Sequence, residues 1–390
     1  MAKTASSFIS LALLALPAAV PAQVSPDSAT FVTRLGDDTL VIERFVHRPD
    51  RIEADVLMRV PRTTMTRYEL VLSDDGRMQR MRWMRHAPAT PDDTLAWGAV
   101  ANLGDSLAVQ TVTERGDRSV TIAADPSTLP FIDMVHWPYE LALMRAKAAG
   151  VDEMTVPLLS GTRIAPFRFG VMGADSMTIT HPTRGTMRVR VDEAGRLLAL
   201  DAGATTRKLM VERRAWTSLA ETARRWAAAD AAGRGMGALS GRGVFDADIA
   251  GATIALDYGT PSKRGRTIWG GLVPYGAVWR TGANRATHFS TDRDLVFGSG
   301  DATLAVPAGE YTLFSIPAAD GGVLIINRQT GQTGTAYDHE RDLGRVPLNA
   351  RPLDEEVEVF TIIVTETEDG GLLRLQWDRT ELVVPFRVGG

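Results

Sequence analysis

The stretch LLRLQWDRTELVVPFRV, residues 372–388, alternates in character along its length. Leu373, Leu375 and Trp377 interleave with Arg374, Gln376 and Asp378, and Leu382, Val384, Phe386 and Val388 interleave with their neighbours. A period of two buries one face of a strand and wets the other. Residues 253–258, 286–291, 303–306, 310–316, 323–327 and 357–365 are strand-like as well. Pro307-Ala308-Gly309 and Asp369-Gly370-Gly371 are tight-turn signals, since Pro fixes φ and Gly accepts φ > 0. One buried face per strand predicts a C-terminal β-sandwich over residues 244–390.

Upstream, residues 31–211 are also mainly β. Short β-branched or alternating runs surround one helical segment, residues 139–149, which follows Pro138 and stops at Gly150. Many consecutive strands with one or two helices predict a strongly curved antiparallel sheet for residues 23–214. In pattern this half is similar to the half-barrel lipoprotein-carrier fold, which implies that the sheet could hold an apolar molecule. Residues 216–230 carry the stripe Trp216, Leu219, Ala220, Ala223, Trp226 and Ala227 at helical spacing. Glycines at 233, 235, 237, 241 and 243 follow it. The string GRGMGA formally satisfies G-x-G-x-x-A, but a dinucleotide fingerprint follows a strand and opens a helix. Here it follows a helix, so residues 215–243 are expected to be a helix plus a flexible linker.

The 390 residues allow two domains, and 44% apolar with 23% charged residues excludes a disordered chain. A formal charge of −4 gives no general attraction to nucleic acid. There is no cysteine, which removes disulfides, thiolate metal sites and cysteine nucleophiles. Lys3 followed by the apolar run FISLALLAL (residues 8–16), Pro17 and Val20-Pro21-Ala22 has the layout of an export signal, residues 1–22. The expectation is therefore an exported chain, periplasmic or extracellular, with no membrane span after cleavage.

Residues 259–276, GTPSKRGRTIWGGLVPYG, lack a strand or helix pattern and lead into VWRTGAN (278–284) and His288. Irregular segments this long inside a compact domain are usually functional or disordered. Lys263, Arg264, Arg266 and Arg280 offer donors to anions and hydroxyl-rich ligands, and Trp269, Tyr275 and Trp279 offer flat faces. Against this stands a purely structural role, with the tryptophans anchoring the loop. Standard catalytic patterns fail: His339-Glu340 opens H-E-x-x-H, but position 343 is Leu. Asp292, Asp294 and Asp301 lack EF-hand spacing and read as hairpin-end carboxylates. Neither a metal nor a cofactor is implied.

The strings YGTPSKRGRTIWGGLVPYGAVWRTGAN, ATHFSTD, VPAGEYTLFSIP, LIINRQTGQ, TAYDHERDLGRV and LQWDRTELVVPF occur in this order. Together they resemble the secreted bacterial family called domain of unknown function 2911, over about residues 245–388. The chain has Thr333 where that family usually carries a Trp. The resemblance implies a secreted β-rich domain and supplies no activity. It groups Lys263, Arg266, Arg280, Asn284, His288, Tyr337, Asp338 and Arg345 within its motifs.

Three readings follow. The leading one is binding of a polar small molecule, glycan or envelope component at Lys263, Arg266, Trp269, Tyr275, Trp279, Arg280, Asn284, His288, Tyr337 and Asp338. The second is a hydrolase pairing His288 with Asp338 or Asp342, with Thr281 or Ser290 as nucleophile. The third is a structural envelope module.

Overall fold

Alternating burial along Asp27–Leu35 sets the first sheet, because this strand pairs on both sides. One neighbour is Asp38–Arg48 and the other is Met210–Arg214, almost two hundred residues later. The computed structural model describes residues 27–389, and 61% of it is strand against 7% helix. The expected signal, residues 1–22, lies outside the described residues. Fifteen of the described strands form a curved meander that runs outward from Asp27–Leu35 in both directions. Its pairs are antiparallel except where Leu129–Pro130 runs parallel to Glu153–Ser160.

Helix α1 (Trp137–Ala148) packs into this curve, with Trp137, Leu143 and Ala146 buried beside Phe31, Phe45, Phe167 and Phe169. Pro138 opens the helix and Gly150, at φ 65°, follows its end, as the sequence signals. The helix thus occupies the concave side of the sheet beside these phenylalanines. A cavity of about 30 Å³ is present beside Phe131, His136, Tyr139 and His181, room for about one water. An apolar guest of the kind expected would have to share this curve with α1.

Helix α2 (Ala220–Ala231) is shorter than its stripe. Leu219, Ala223 and Trp226 are buried against Leu57, whereas Trp216 lies ahead of the helix, 49% exposed, under the Arg44 guanidinium at 4.7 Å. The glycine-rich segment is anchored to its surroundings. Asp230 accepts from the Thr63 amide at 2.6 Å, Met236 and Leu239 pack on the first core, and strand Ser240–Ile249 begins inside the expected linker.

Residues 240–388 form a nine-stranded sheet with its own core around Phe289, Phe297, Phe360, Trp377 and Phe386. Its last two strands, Asp342–Thr367 and Gly370–Val388, are long and fold back on themselves. Their register breaks between Pro352 and Thr361, and Asp378 takes φ 56°. The Val388 amide consequently donates to Asp369 O at 3.0 Å, bringing both ends of one strand together. A single folded sheet so covers both sides of the core, and Leu373, Leu375 and Trp377 face inward as their alternation predicts.

The two sheets meet where the turn after Asp27–Leu35 touches the irregular segment beyond residue 261. The Asp37 amide donates to Arg264 O at 3.2 Å, and Arg264 Nη1 pairs with Asp38 at 2.6 Å. Gly36 (φ 59°) and Gly265 (φ 69°) make the approach possible, since a Cβ on Gly265 would overlap the Asp37 carboxylate.

Candidate functional site

Beside this contact, a cleft of about 660 Å³ opens between the sheets. The first sheet and the segment after it contribute an aliphatic side that includes Leu35, Val60, Met134 and Leu239. The second contributes Leu272, Val273, Trp279 and Trp377. Five cations line the cleft: Arg184, Arg207 and Lys208 from the first sheet, Arg266 and Arg280 from the second. No Asp or Glu is among its lining residues.

These cations are of two kinds. Arg184 and Arg207 share the carboxylate of Asp133, the former at 2.6 Å, so that group carries one net charge. Lys208, Arg266 and Arg280 form no ion pair among the described residues. Lys208 donates to Gly203 O at 2.9 Å, and Arg266 to the carbonyls of Lys263 and Ser262 at 2.9 and 2.6 Å. Burial, then the charges of Arg266 and Arg280, hold the Lys208 ammonium below the usual lysine range. Burial likewise lowers Arg280. Partly desolvated like charges repel, and an entering anion relieves that repulsion.

Local strain positions the C-terminal cations. Thr281 is fully buried at φ 51°, an uncommon conformation for a β-branched residue, and Asn284 sits at φ 64°. Hydrogen bonds over-determine the turn. Thr281 Oγ1 donates to Ser315 Oγ at 3.0 Å, Thr287 Oγ1 to Thr281 O at 2.7 Å, and Trp279 exchanges backbone bonds with Ser315 at 2.7 and 2.9 Å. The Arg280 stem passes over Gly334, where a Cβ would come within 2.7 Å. Thr333, beside it, bridges to Arg285.

Of the ten residues expected at a site, Arg266, Trp279, Arg280 and Asn284 line the cleft. The other six are placed elsewhere. Lys263 is ion-paired with Glu356 at 2.6 Å and Asp378 at 2.8 Å. Trp269 donates to Trp377 O at 3.2 Å and meets Trp279 edge-on at 5.8 Å, inside the aromatic cluster. Tyr275 is exposed on the loop. Tyr337 donates to Asp342 at 2.8 Å, and Asp338 accepts from the Glu340 amide at 3.1 Å in a short 3₁₀ turn.

His288 lines a second cavity of about 440 Å³ with Asp257, Ser290 and Glu310. Its Nδ1 lies 3.4 Å from Thr312 Oγ1. Asp257, opposite it in register, is held by Arg242 and Arg285, while Asp342 is bound by Asn327, Tyr337 and Arg345. The acid–base pair considered for hydrolysis is therefore not assembled, and the buried Thr281 hydroxyl is spent on Ser315. Asp292 accepts from the Thr253 amide at the start of the neighbouring strand, and Asp294 from the Ala308 amide of a turn. No cluster of three or more His, Cys, Asp or Glu suited to a metal occurs among the described residues. Nor is any described helix long and apolar enough to cross a membrane.

Arg184, Arg207 and Lys208 were not legible as site residues. They lie far from the loop in sequence, and only the docking of the sheets brings them near it.

No curated protein matches the chain. Among solved structures it is similar to a DUF1089 family protein from Pseudomonas aeruginosa. That match has 14% identity and a TM-score of 0.30, covering 47% of this chain and 95% of the other. It is also similar to a beta-barrel-like protein of domain of unknown function DUF1849 from Brucella abortus. There the identity is 9% and the TM-score 0.32, covering 49% of this chain and 97% of that one. Residues 240–386, the nine-stranded sheet with its loops, match DUF2911, a protein family of unknown function.

Proposed function

We propose that the chain is an exported ligand-binding protein whose site is the cleft between its two sheets and whose ligand is anionic. One observation carries this reading. Lys208, Arg266 and Arg280 face the cleft without an ion-pair partner among the described residues, and no carboxylate lines it. A volume of about 660 Å³ falls in the ordinary range for small-molecule sites. Export rests on the leader pattern of residues 1–22 and places the ligand outside the cytoplasm, in the periplasm or beyond.

The test is a thermal-shift titration with phosphate, citrate and the neutral sugar N-acetylglucosamine, on the wild type and on Lys208→Ala/Arg280→Ala. Binding to the native state alone raises stability by RT ln(1 + [L]/Kd), about 2.7 kcal/mol at a hundredfold excess. Multivalent anions also stabilise proteins generally, so the quantity to read is the difference between wild type and variant. A saturating shift with anions, lost in the double variant, is expected. Equal shifts in both proteins, or a preference for the neutral sugar, would refute the assignment.

A further inference from the structure

Building on the cleft as an anion site, we infer that its ligand is an amphiphile with a phosphate-type dianion at one end and an apolar group at the other. The charge count argues for the dianion. Lys208, Arg266 and Arg280 lack ion-pair partners among the described residues, though Glu358 and Asp38 act on Arg266 from a distance, and a further net charge comes from the Arg184–Asp133–Arg207 group. A single carboxylate would leave most of that charge uncompensated in a partly desolvated place. A phosphate monoester brings about −1.5 to −2 and three acceptor oxygens, and the guanidinium fork suits such oxyanions.

The walls argue for the apolar group. Val60, Met134 and Leu239 come from one half of the chain, and Leu272, Val273 and Trp279 from the other. An apolar segment between them would be covered from both sides and lose water on both. Trp279 rests on Trp377, nearly parallel at 6.1 Å and 16°, so its ring is held in place before any ligand arrives. Phosphate alone would leave this surface wet.

Isothermal titration of the intact protein with four probes below their micelle concentrations tests the inference: octyl phosphate, inorganic phosphate, octanoate and octyl glucoside. Octyl phosphate is expected to bind at least about tenfold tighter than phosphate or octanoate, a gain well within what several buried methylenes supply. Octyl glucoside should give no heat. Leu272→Ser should weaken octyl phosphate and leave inorganic phosphate unchanged, with its melting temperature confirming the fold. Phosphate binding as tightly as octyl phosphate overturns the amphiphile while the anion site stands. Octanoate matching octyl phosphate overturns the dianion. Failure of every anion removes the site itself. Co-sedimentation with phosphatidic acid vesicles separates a free molecule from a headgroup in a bilayer. Because both sheets wall the cleft, the ligand must leave a bilayer to enter, so the protein should stay in the supernatant. Pelleting with the vesicles overturns that form of the proposal.

Discussion

Glu43, in the strand Asp38–Arg48, caps the helix that begins at Trp137. Its Oε2 accepts from the amides of His136 at 2.7 Å and Trp137 at 3.0 Å, and its Oε1 from His136 Nδ1 at 2.9 Å. The carboxylate is fully buried and takes donors that a helix start leaves orphaned. Glu43→Ala should cost about 3–5 kcal/mol, the usual result of removing one partner of a buried charged network. Glu43→Gln keeps an acceptor oxygen and should lose less. Urea denaturation measures both, and equal stability of Glu43→Ala and wild type would show that the cap contributes nothing.

Arg264 joins the sheets while Arg266, two residues on, faces the cleft. Its side chain is 9% exposed and lies 2.6 Å from both Asp38 and Met236 Sδ. Each sheet has its own core, so the division near residues 215–243 should surface once the contact is cut. Arg264→Ala is expected to split a single calorimetric transition into two and to weaken anion binding by displacing Arg266. One unchanged transition would count against both effects.

Much of the architecture was legible because burial on one face imposes a period of two. Leu373, Leu375 and Trp377 are inward as read, and α1 starts and stops beside Pro138 and Gly150. The folding of Asp342–Thr367 and Gly370–Val388 was not legible, since a break in pairing leaves no periodic mark. The candidate cleft was legible only in the part that one segment supplies. Arg266, Trp279, Arg280 and Asn284 stand in one unpatterned stretch, whereas Lys208 reaches them through a tertiary contact. Lys263 looked equally available in the sequence, but Glu356 and Asp378 claim it.

Glu140 in α1 and His181 at the end of the strand Ser176–His181 are shifted in opposite directions. Burial pushes the Glu140 carboxyl up to about 7, despite Arg213 at 2.6 Å and the Leu197 amide at 2.9 Å. The folded state thus holds this proton more tightly than the unfolded chain. Its stabilising effect is full below about pH 4.5 and is lost as pH rises through 7. Burial, with the nearby Arg184, lowers His181 to about 4. That stability is present above about pH 6.5 and is lost as pH falls through 4. The two effects oppose each other across the window they share. Melting curves of Glu140→Gln should therefore rise more steeply between pH 4.5 and 6.5 than those of the wild type. His181→Asn should tilt the same window the other way, and parallel profiles for all three proteins would rule the coupling out.

His288 separates binding from hydrolysis. It is half-buried, its Nδ1 has one long contact to Thr312, and it lies in a cavity apart from Arg280. His288→Ala should cost about 1 kcal/mol of stability, as an ordinary half-buried substitution does, and leave the proposed anion binding intact. Loss of a measurable turnover in this variant would revive the hydrolase reading.

Arg280 and Lys208 should show the opposite behaviour, because the proposed anion site gathers like charges in one partly desolvated cleft. Burial first, and then the charges of Arg266 and Arg280, hold Lys208 below its usual titration range, and burial alone lowers Arg280. Replacing one cation by an unbranched apolar side chain removes the repulsion and keeps the packing of the stem. Arg280→Met and Lys208→Met are thus expected to melt higher than the wild type in low-salt buffer without anions, by the roughly 0.5–2 kcal/mol that a single stabilising substitution commonly yields. Added salt should shrink the difference through screening, and saturating phosphate should reverse it, since only the wild type gains binding energy. If both variants melt lower than the wild type in anion-free buffer, the three cations stabilise the empty fold, and the argument for a missing counter-charge fails.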